Sequence, residues 1–224
     1  MNNPCSSIDF DGLSLRPPKP TFVYLLVSYL LVFPLFRLFF RGRTKGIENV
    51  PKFGSLVVVA NHGSHFDPPL IGHALGRPVS FMAKAELFRL PLLGQIIRMC
   101  GAYPVKRGAS DREAIRTATT RLNQGWAIGV FLDGTRQEDG RCNSPLAGAA
   151  LLAARSQSYL LPVAIVNSHR ALGTRAIFPR LVPIHLRVGT PIPPPVSRKK
   201  FDLEEKTQEL KNRINSMLDQ GILD

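Results

Sequence analysis

The chain has 224 residues, 44% of them apolar, which is enough for one domain with a sizeable core and short for two. This composition excludes an intrinsically disordered chain, a coiled coil and a collagen. The formal net charge of +13 indicates an anionic partner: nucleic acid, an anionic membrane surface or a phosphorylated substrate. The three cysteines include no C-x-x-C pair, which argues against a disulfide scaffold or a cysteine-rich zinc site.

Regions of different composition follow one another along the chain. Residues 1–20 are rich in proline near their end and aperiodic, which predicts a mobile tail. Residues 21–45 form an apolar run that a basic cluster closes, and residues 46–200 alternate short apolar runs with helix-like stretches. Residues 201–224 carry an amphipathic helical pattern, and we expect this helix to pack on the preceding domain.

The apolar run within residues 21–45 predicts a helical segment that associates with a membrane. Its uncharged part, 22–36, rises about 22 Å as a helix, below the roughly 30 Å of a hydrocarbon core. Adding residues 38–40, with the Arg37 side chain reaching to the surface, brings the helix close to spanning length. We expect it to cross the bilayer, enter one leaflet or lie in the interface, in preference to forming a buried core helix.

The alternation within residues 46–200 predicts an α/β fold with a central mixed sheet flanked by helices. A capping box, SDRE at 110–113, predicts a helix that ends near Gly125. The Ser-Pro pair at 144–145 predicts the start of another helix, and DLEE at 202–205 predicts the start of the C-terminal one. The predicted strands are residues 56–60, 127–132, 160–166 and 184–188.

A polar run, NHGSHFD at residues 61–67, directly follows the first predicted strand. A loop interrupted by Gly63 and leading into a new helix would let Asp67 fold back onto His62. A carboxylate that accepts from one imidazole nitrogen fixes the tautomer and leaves the other nitrogen free as a base for a substrate hydroxyl. The alternatives are a polar loop without chemistry and a metal site of His62, His65 and Asp67.

Two glycine-containing turns carry cations that suit an anion. The run GAYPVKRG at 101–108 sets a lysine beside an arginine, and each charge-assisted contact to a phosphate contributes roughly 1.5–3 kcal/mol. In the run FLDGTR at 131–136, Gly134 permits an unusual backbone angle, Thr135 can donate and Arg136 offers a planar fork. Taken singly, each run also fits an ordinary solvated turn.

Together with the run LPVAI, these motifs resemble the glycerolipid acyltransferase family in order and spacing. The resemblance covers roughly residues 46–190, and the stretch AKAELF at 83–88 adds to it. Leu132 and Asp133 replace the proline and glutamate usual in the family. Each of the four runs is similar to one sequence block of that family. The pairs are residues 61–67 with N-H-x4-D, 101–107 with G-x-(F/Y)-P-V-x-R, 131–136 with F-P-E-G-T-R, and 161–165 with V-P-V-x-I.

The resemblance implies an acyltransferase domain at 46–200 that moves a fatty acyl group from acyl-CoA or acyl carrier protein to the sn-2 hydroxyl of lysophosphatidic acid. Phosphatidic acid for phospholipid synthesis is the implied product, and the implied reaction uses no metal or redox cofactor. His62 would be the general base and Asp67 its orienting partner. The residues implied to hold the substrate phosphate are Lys84, Lys106, Arg107, Asp133, Gly134, Thr135 and Arg136.

Other functions compete with this interpretation. Another lysophospholipid or glycerol 3-phosphate could be the acceptor, and a metal-dependent hydrolase is a further alternative. A non-catalytic basic protein that binds anionic membranes or nucleic acid also fits the charge, although the apolar segment and the lack of a base-reading motif argue against nucleic acid. The basic cluster at 41–45 predicts a membrane protein whose catalytic domain lies on the cytoplasmic side.

Overall fold

A seven-stranded mixed β-sheet forms the centre of the protein in a computed structural model that describes residues 15–105, 112–173 and 178–223. Valine fills most of the middle strand, β2, which is buried along its whole length because helices cover both faces of the sheet. The strands are β1 (Arg43–Lys45), β2 (Leu56–Ala60), β3 (Val79–Lys84), β4 (Tyr103–Val105), β5 (Ala127–Phe131), β6 (Tyr159–Val166) and β7 (His185–Val188).

The strands lie in the order β1-β7-β6-β2-β5-β3-β4. Neighbouring strands are parallel except β6 and β7, which run antiparallel with Val166 opposite His185. Strands β2 to β6 therefore all end at one edge of the sheet, which we call the carboxyl edge, and the loops that follow them meet there. Strands β1 and β7 point the other way, so both begin at the carboxyl edge.

The predicted mixed sheet with flanking helices is confirmed, and the four predicted strands are β2, β5, β6 and β7 with small shifts at their ends. The sequence patterns missed β1, β3 and β4. Strands β1 and β4 have three residues each, too few for an alternating pattern, and β3 mixes Ser80 and Lys84 with its apolar residues. Strand β1 belongs to the stretch 21–45 that the sequence assigns to the membrane-associated segment.

Helices cover the two faces of the sheet with separate apolar clusters. The described helices are α1 (Phe22–Leu26), which π-helical stretches extend at Val27–Val32 and Leu35–Phe39, α2 (Asp67–Ala74), α3 (Leu93–Met99), α4 (Arg112–Asn123), α5 (Gly148–Ser156), α6 (Ser168–Ala171), α7 (Lys200–Asp219) and 3₁₀ turns at Ile47–Asn49 and Ala85–Arg89. On one face, Val58 and Leu161 pack with α2 and the extended α1. On the other, Val57 and Ile128 pack with α4, α5 and α7.

The predicted start of α5 is wrong. Residues 144–145 do not cap this helix, which begins at Gly148. The Leu146 N–H instead donates to the Leu132 carbonyl at 2.8 Å, so this stretch folds over the turn that follows β5. A tertiary contact therefore outweighs the local capping signal. The helix predicted from the capping box at 110–113 is α4, and residues 110 and 111 of that box lie outside the described part of the chain.

The predicted start of α7 is also wrong, because the helix begins at Lys200 and Asp202 lies inside its first turn. The Asp202 carboxylate accepts from the Ser197 hydroxyl rather than capping the helix. The amphipathic pattern is confirmed, since Leu210 and Ile214 are completely buried against the sheet. This helix packs on the domain as expected.

The extended α1, Phe22–Phe39, is long and apolar enough to cross a membrane by length and composition, and 17% of it is buried. We call it the N-terminal helix. Its buried side docks on α2, where the Tyr24 hydroxyl donates to the Gly72 carbonyl at 2.8 Å. Ser28 Oγ lies 2.8 Å from His73 Nδ1 at the same contact. The N-terminal helix is therefore attached to the same short helix that begins with Asp67.

The packing of α7 can be tested by removing one buried side chain. We expect Leu210→Ala to lower the free energy of unfolding by about 2–5 kcal/mol, because it leaves a cavity between α7 and the sheet. Phe201→Ala is the control, since Phe201 is 74% exposed and its loss should change stability by less than about 0.5 kcal/mol. Urea unfolding followed by circular dichroism measures both. Equal stability of the two variants would contradict the packing.

Candidate active site

Polar residues from distant parts of the chain meet at the carboxyl edge. Residues 61–67 follow β2, Lys84 ends β3, and residues 132–136 follow β5. Because β5 lies between β2 and β3, its loop is next to both of the others. The sheet order thus assembles three of the sequence-predicted elements at one place.

His62 and Asp67 contact each other at the centre of this edge, as expected for a loop that Gly63 interrupts. His62 Nδ1 lies 2.8 Å from Asp67 Oδ2, and the same oxygen accepts the Gly63 and Ser64 N–H groups, each at 2.8 Å. Asp67, the first residue of α2, is completely buried, whereas the His62 side chain is 16% exposed. Because an ionised carboxylate only accepts hydrogen bonds, the proton lies on His62 Nδ1 and Nε2 is left as an acceptor.

The loop after β5 holds His62 from a further direction. The imidazole stacks on the Phe131 ring, with the ring centroids 3.8 Å apart and the planes 8° from parallel. The Gln137 N–H donates to the His62 carbonyl at 2.8 Å. The ring face, the backbone carbonyl and the Nδ1 atom of His62 are therefore each held by a separate contact. These contacts leave the imidazole little freedom to change rotamer.

Asn61 clamps three segments together directly before His62. Its buried side-chain amide donates to the carbonyls of Gly140 and Ile165 at 2.7 and 2.9 Å. Its side-chain oxygen accepts the Ile165 N–H at 2.8 Å. The end of β2 is thereby joined to β6 and to the loop that carries Arg136, so Asn61 sets the position of His62 relative to that loop.

The turn after β5 is shaped by Asp133 and Gly134. Gly134 has φ +66°, a left-handed conformation that favours glycine, and its N–H donates to the Phe131 carbonyl at 3.0 Å. Asp133 is buried, and its Oδ2 accepts the Asn143 N–H at 2.9 Å. Gly134 and Thr135 lie exposed at the tip. The Asp133 carboxylate thus braces the turn from inside, while the tip faces solvent.

Cationic side chains act on His65, which lies on the same loop as His62. Burial lowers the pKa of the His65 imidazole, and the nearby positive charges of Arg136 and Lys84 lower it further. Arg136 immediately precedes Gln137, whose N–H is bonded to the His62 backbone. Arg136 and Lys84 therefore both make the potential at His65 more positive.

Two predicted site residues, Lys106 and Arg107, lie outside the described residues. The last described residue before them is Val105, which ends β4 at the carboxyl edge. Sequence reasoning assigned no role to Asn61 or Phe131. A buried polar residue at a strand end is a general signal that could have pointed to Asn61, whereas no signal in the sequence indicates the Phe131 ring contact.

His62 is placed for base-assisted chemistry, whereas the buried thiol of Cys142 is not placed to act as a nucleophile. Burial raises the pKa of the Cys142 thiol to about 12, and the nearby charge of Asp133 adds to this effect, so Cys142 is a poor nucleophile at neutral pH. Across residues 15–105, 112–173 and 178–223, no group of three or more His, Cys, Asp and Glu side chains is arranged to hold a metal ion. An activated hydroxyl beside an anion site is the chemistry that this geometry supports.

Comparison with known proteins finds similar sequences over the region that contains His62, Asp67 and Arg136. The acyltransferase family model matches residues 41–166. The chain is 28% identical over 156 residues to a chloroplastic 1-acyl-sn-glycerol-3-phosphate acyltransferase of Arabidopsis thaliana, covering 68% of this chain and 42% of that protein. It is 24% identical over 180 residues to a 1-acyl-sn-glycerol-3-phosphate acyltransferase of Borreliella burgdorferi, covering 78% of this chain and 70% of that one. The chain thus spans less than half of the plant relative and most of the bacterial one.

A solved structure has the same architecture. The crystal structure of the 1-acyl-sn-glycerophosphate acyltransferase of Thermotoga maritima matches with a TM-score of 0.71 and 25% sequence identity. The match covers 90% of this chain and 89% of that one. The mixed α/β fold and the resemblance to acyltransferases are therefore both confirmed.

The clamp formed by Asn61 can be tested by a stability measurement. We expect Asn61→Leu to lower the free energy of unfolding by about 2–4 kcal/mol, because it leaves buried backbone groups of Gly140 and Ile165 without partners. Asn212→Leu on the exposed side of α7 is the control, with an expected change below about 0.5 kcal/mol. Denaturant unfolding compares the two. If Asn61→Leu is as stable as the control, the clamp is not formed.

Proposed function

Since this chain belongs to the acyltransferase family and is an enzyme of acyl transfer, we propose that it acylates the sn-2 hydroxyl of 1-acyl-glycerol 3-phosphate. The acyl group comes from an acyl thioester, and the product is phosphatidic acid for phospholipid synthesis. The observation that carries this proposal is the 2.8 Å contact between His62 Nδ1 and Asp67 Oδ2, close to the cationic loop that holds Arg136. The histidine would act as a base, and the neighbouring loop would bind an anion beside it.

His62 is the general base of the proposed reaction. Its Nε2 takes the proton of the sn-2 hydroxyl as the hydroxyl oxygen forms a bond to the thioester carbonyl carbon. The tetrahedral oxyanion collapses, the carbon–sulfur bond breaks, and His62 returns the proton to the departing thiolate. Asp67 orients the ring and stabilises its protonated form. No metal or redox cofactor is needed, because the thioester is already activated.

The acceptor phosphate binds to the cations at the carboxyl edge. A guanidinium forms paired hydrogen bonds to phosphate oxygens, and a lysine adds a compact charge. The lowered pKa of His65 is in line with this proposal, since the charges of Arg136 and Lys84 add to the larger effect of burial. Asp133 contributes by shaping the turn. The full proposed set is Lys84, Lys106, Arg107, Asp133, Gly134, Thr135 and Arg136.

The acyl donor is either an acyl-CoA or an acyl carrier protein, because both are anionic and suit a chain of net charge +13. Rates with matched acyl chains on the two carriers identify the donor. A panel of lysophosphatidic acid, other lysophospholipids and glycerol 3-phosphate identifies the acceptor. We expect lysophosphatidic acid to give the highest kcat/KM, and a higher value for another acceptor would overturn the proposed substrate.

The enzyme acts at a membrane, anchored by the N-terminal helix. Most of that helix is exposed and apolar, which supports burial in lipid rather than in the protein. The cluster RGRTK at 41–45 follows the helix directly. Positive clusters next to an apolar segment are typical of the cytoplasmic side, so we propose that the catalytic domain lies in the cytoplasm.

The base assignment predicts a large kinetic effect without unfolding. We expect His62→Ala to lower kcat by about 10²–10⁴-fold, because proton transfer from the acceptor hydroxyl is lost. Asp67→Asn should also lower kcat strongly, since it presents the ring in the wrong tautomer. Thiol release measures turnover, and circular dichroism checks folding. Near-normal turnover by His62→Ala would rule out the base.

The phosphate assignment predicts an effect confined to one substrate. We expect Arg136→Ala to raise the KM for lysophosphatidic acid by about 10–100-fold, because one charge-assisted contact is lost. The KM for the thioester should stay nearly unchanged. Arg155→Ala, an exposed arginine of α5, is the matched control and should leave both values unaltered. Equal increases for both substrates would contradict the phosphate role of Arg136.

A further inference from the structure

We propose that residues 178–183 form a second membrane contact, which lies beside the end of the N-terminal helix and holds the bilayer surface against the carboxyl edge. The contact surface, which we call the interfacial patch, combines groove-lining residues with exposed residues that directly precede the groove in the chain. The first are Leu38, Phe39, Arg41 and Leu181, and the second are Phe178 and Arg180. Its partner is the interfacial layer of an anionic phospholipid bilayer.

The interfacial patch exposes large apolar side chains on two separate segments. Leu38 is 79% exposed and Phe39 is 41% exposed at the end of the N-terminal helix. Phe178 and Leu181 are 79% and 70% exposed on the segment that precedes β7. Leu181 and Leu38 line one groove, so the two segments present a continuous apolar surface. Large contiguous apolar surfaces are unusual on a soluble monomer and typically mark contacts with proteins or membranes.

The backbone beneath the interfacial patch is fixed by hydrogen bonds. The Ile184 N–H donates to the Phe40 carbonyl at 3.0 Å, and the Arg180 N–H donates to the Ala171 carbonyl at 2.7 Å. Phe40 and Ile184 are completely buried below these contacts. The segment is thus anchored at its base while Leu181 stays outside, which is the arrangement expected of a preformed docking surface.

The arginine side chains of the interfacial patch indicate what kind of partner binds there. Arg41 lines the groove with Leu38 and Leu181, and Arg180 precedes Leu181 in the chain. Both arginines are exposed. Apolar side chains that enter lipid beside arginines at headgroup level match the composition of an anionic membrane interface. Continuity with the apolar N-terminal helix also favours lipid over a protein partner.

The interfacial patch lies at the same edge of the sheet as His62. Strand β6 ends at this edge and β7 begins there, so residues 178–184, which lead into β7, lie at the carboxyl edge. Strand β1 also begins there, directly after the end of the N-terminal helix. This part of the inference rests on the proposed function: a bilayer held at the carboxyl edge delivers a lipid hydroxyl to His62 without the acceptor leaving the membrane.

Tryptophan fluorescence in the full chain tests the contact independently of activity. Leu181→Trp is compared with Phe201→Trp, a control at a 74% exposed position of α7, and the emission of native Trp126 is subtracted. The proteins are mixed with vesicles of phosphatidylglycerol and brominated phosphatidylcholine. We expect the Leu181→Trp emission to shift to shorter wavelength and lose intensity, and the Phe201→Trp emission to stay unchanged.

Three outcomes would overturn the contact. The first is an unquenched Leu181→Trp signal in protein that binds the vesicles, because the N-terminal helix alone would then carry the binding. The second is equal quenching of Leu181→Trp and Phe201→Trp. The third is a wavelength shift that depends on protein concentration without lipid, since a second copy of the chain would then cover the interfacial patch.

Activity separates this contact from the proposed reaction. We expect Phe178→Asp with Leu181→Asp to lower acyl transfer to lysophosphatidic acid in vesicles by about tenfold or more, while transfer to acceptor dispersed in detergent is unchanged. Val196→Asp with Phe201→Asp makes the same charge change at exposed positions elsewhere and should alter neither rate. Loss of both rates in the first variant would contradict a membrane role. Quenched Leu181→Trp in a protein that acylates no acceptor would overturn the proposed function and leave the contact standing.

Discussion

The hydrogen bond between His62 Nδ1 and Asp67 Oδ2 is the interaction on which the site depends. It determines which imidazole nitrogen carries the proton and therefore which one faces a substrate. Asp67 can do this because its carboxylate is buried at the start of α2 and takes N–H groups of Gly63 and Ser64 on the same oxygen. A carboxylate held in this way cannot turn to solvent, so the ring orientation is set by the backbone itself.

The fold makes that interaction useful by what it places around it. Parallel strands end at one edge, so the loops after β2, β3 and β5 come together although they are far apart in the chain. Asn61 and the Gln137 N–H then tie the histidine loop to the loop of Arg136. The interfacial patch lies at the same edge as His62, so the membrane contact that we propose would bring lipid to the side of the sheet where His62 lies.

The central strands could be predicted because their apolar runs are bounded by turn residues. The contact of His62 with Asp67 could be predicted because Gly63 interrupts the loop between them. The start of α5 could not be predicted, since a tertiary contact of Leu146 with Leu132 replaces the capping signal. The start of α7 was missed because Asp202 accepts from the Ser197 hydroxyl rather than capping the helix. Asn61 bonds to a residue 104 positions away, and such a partner leaves no local pattern. The stacking of Phe131 on the His62 ring was not predicted either, because these two residues are also far apart in the sequence.

Product analysis tests the central claim most directly. The purified full chain is incubated with one acyl thioester and 1-acyl-glycerol 3-phosphate, and mass spectrometry with position-specific lipase digestion locates the new ester. The account predicts that each thiol released is matched by one ester at the sn-2 oxygen, with phosphatidic acid as the product. Thiol release matched by free fatty acid, or an ester on any other oxygen, would contradict it.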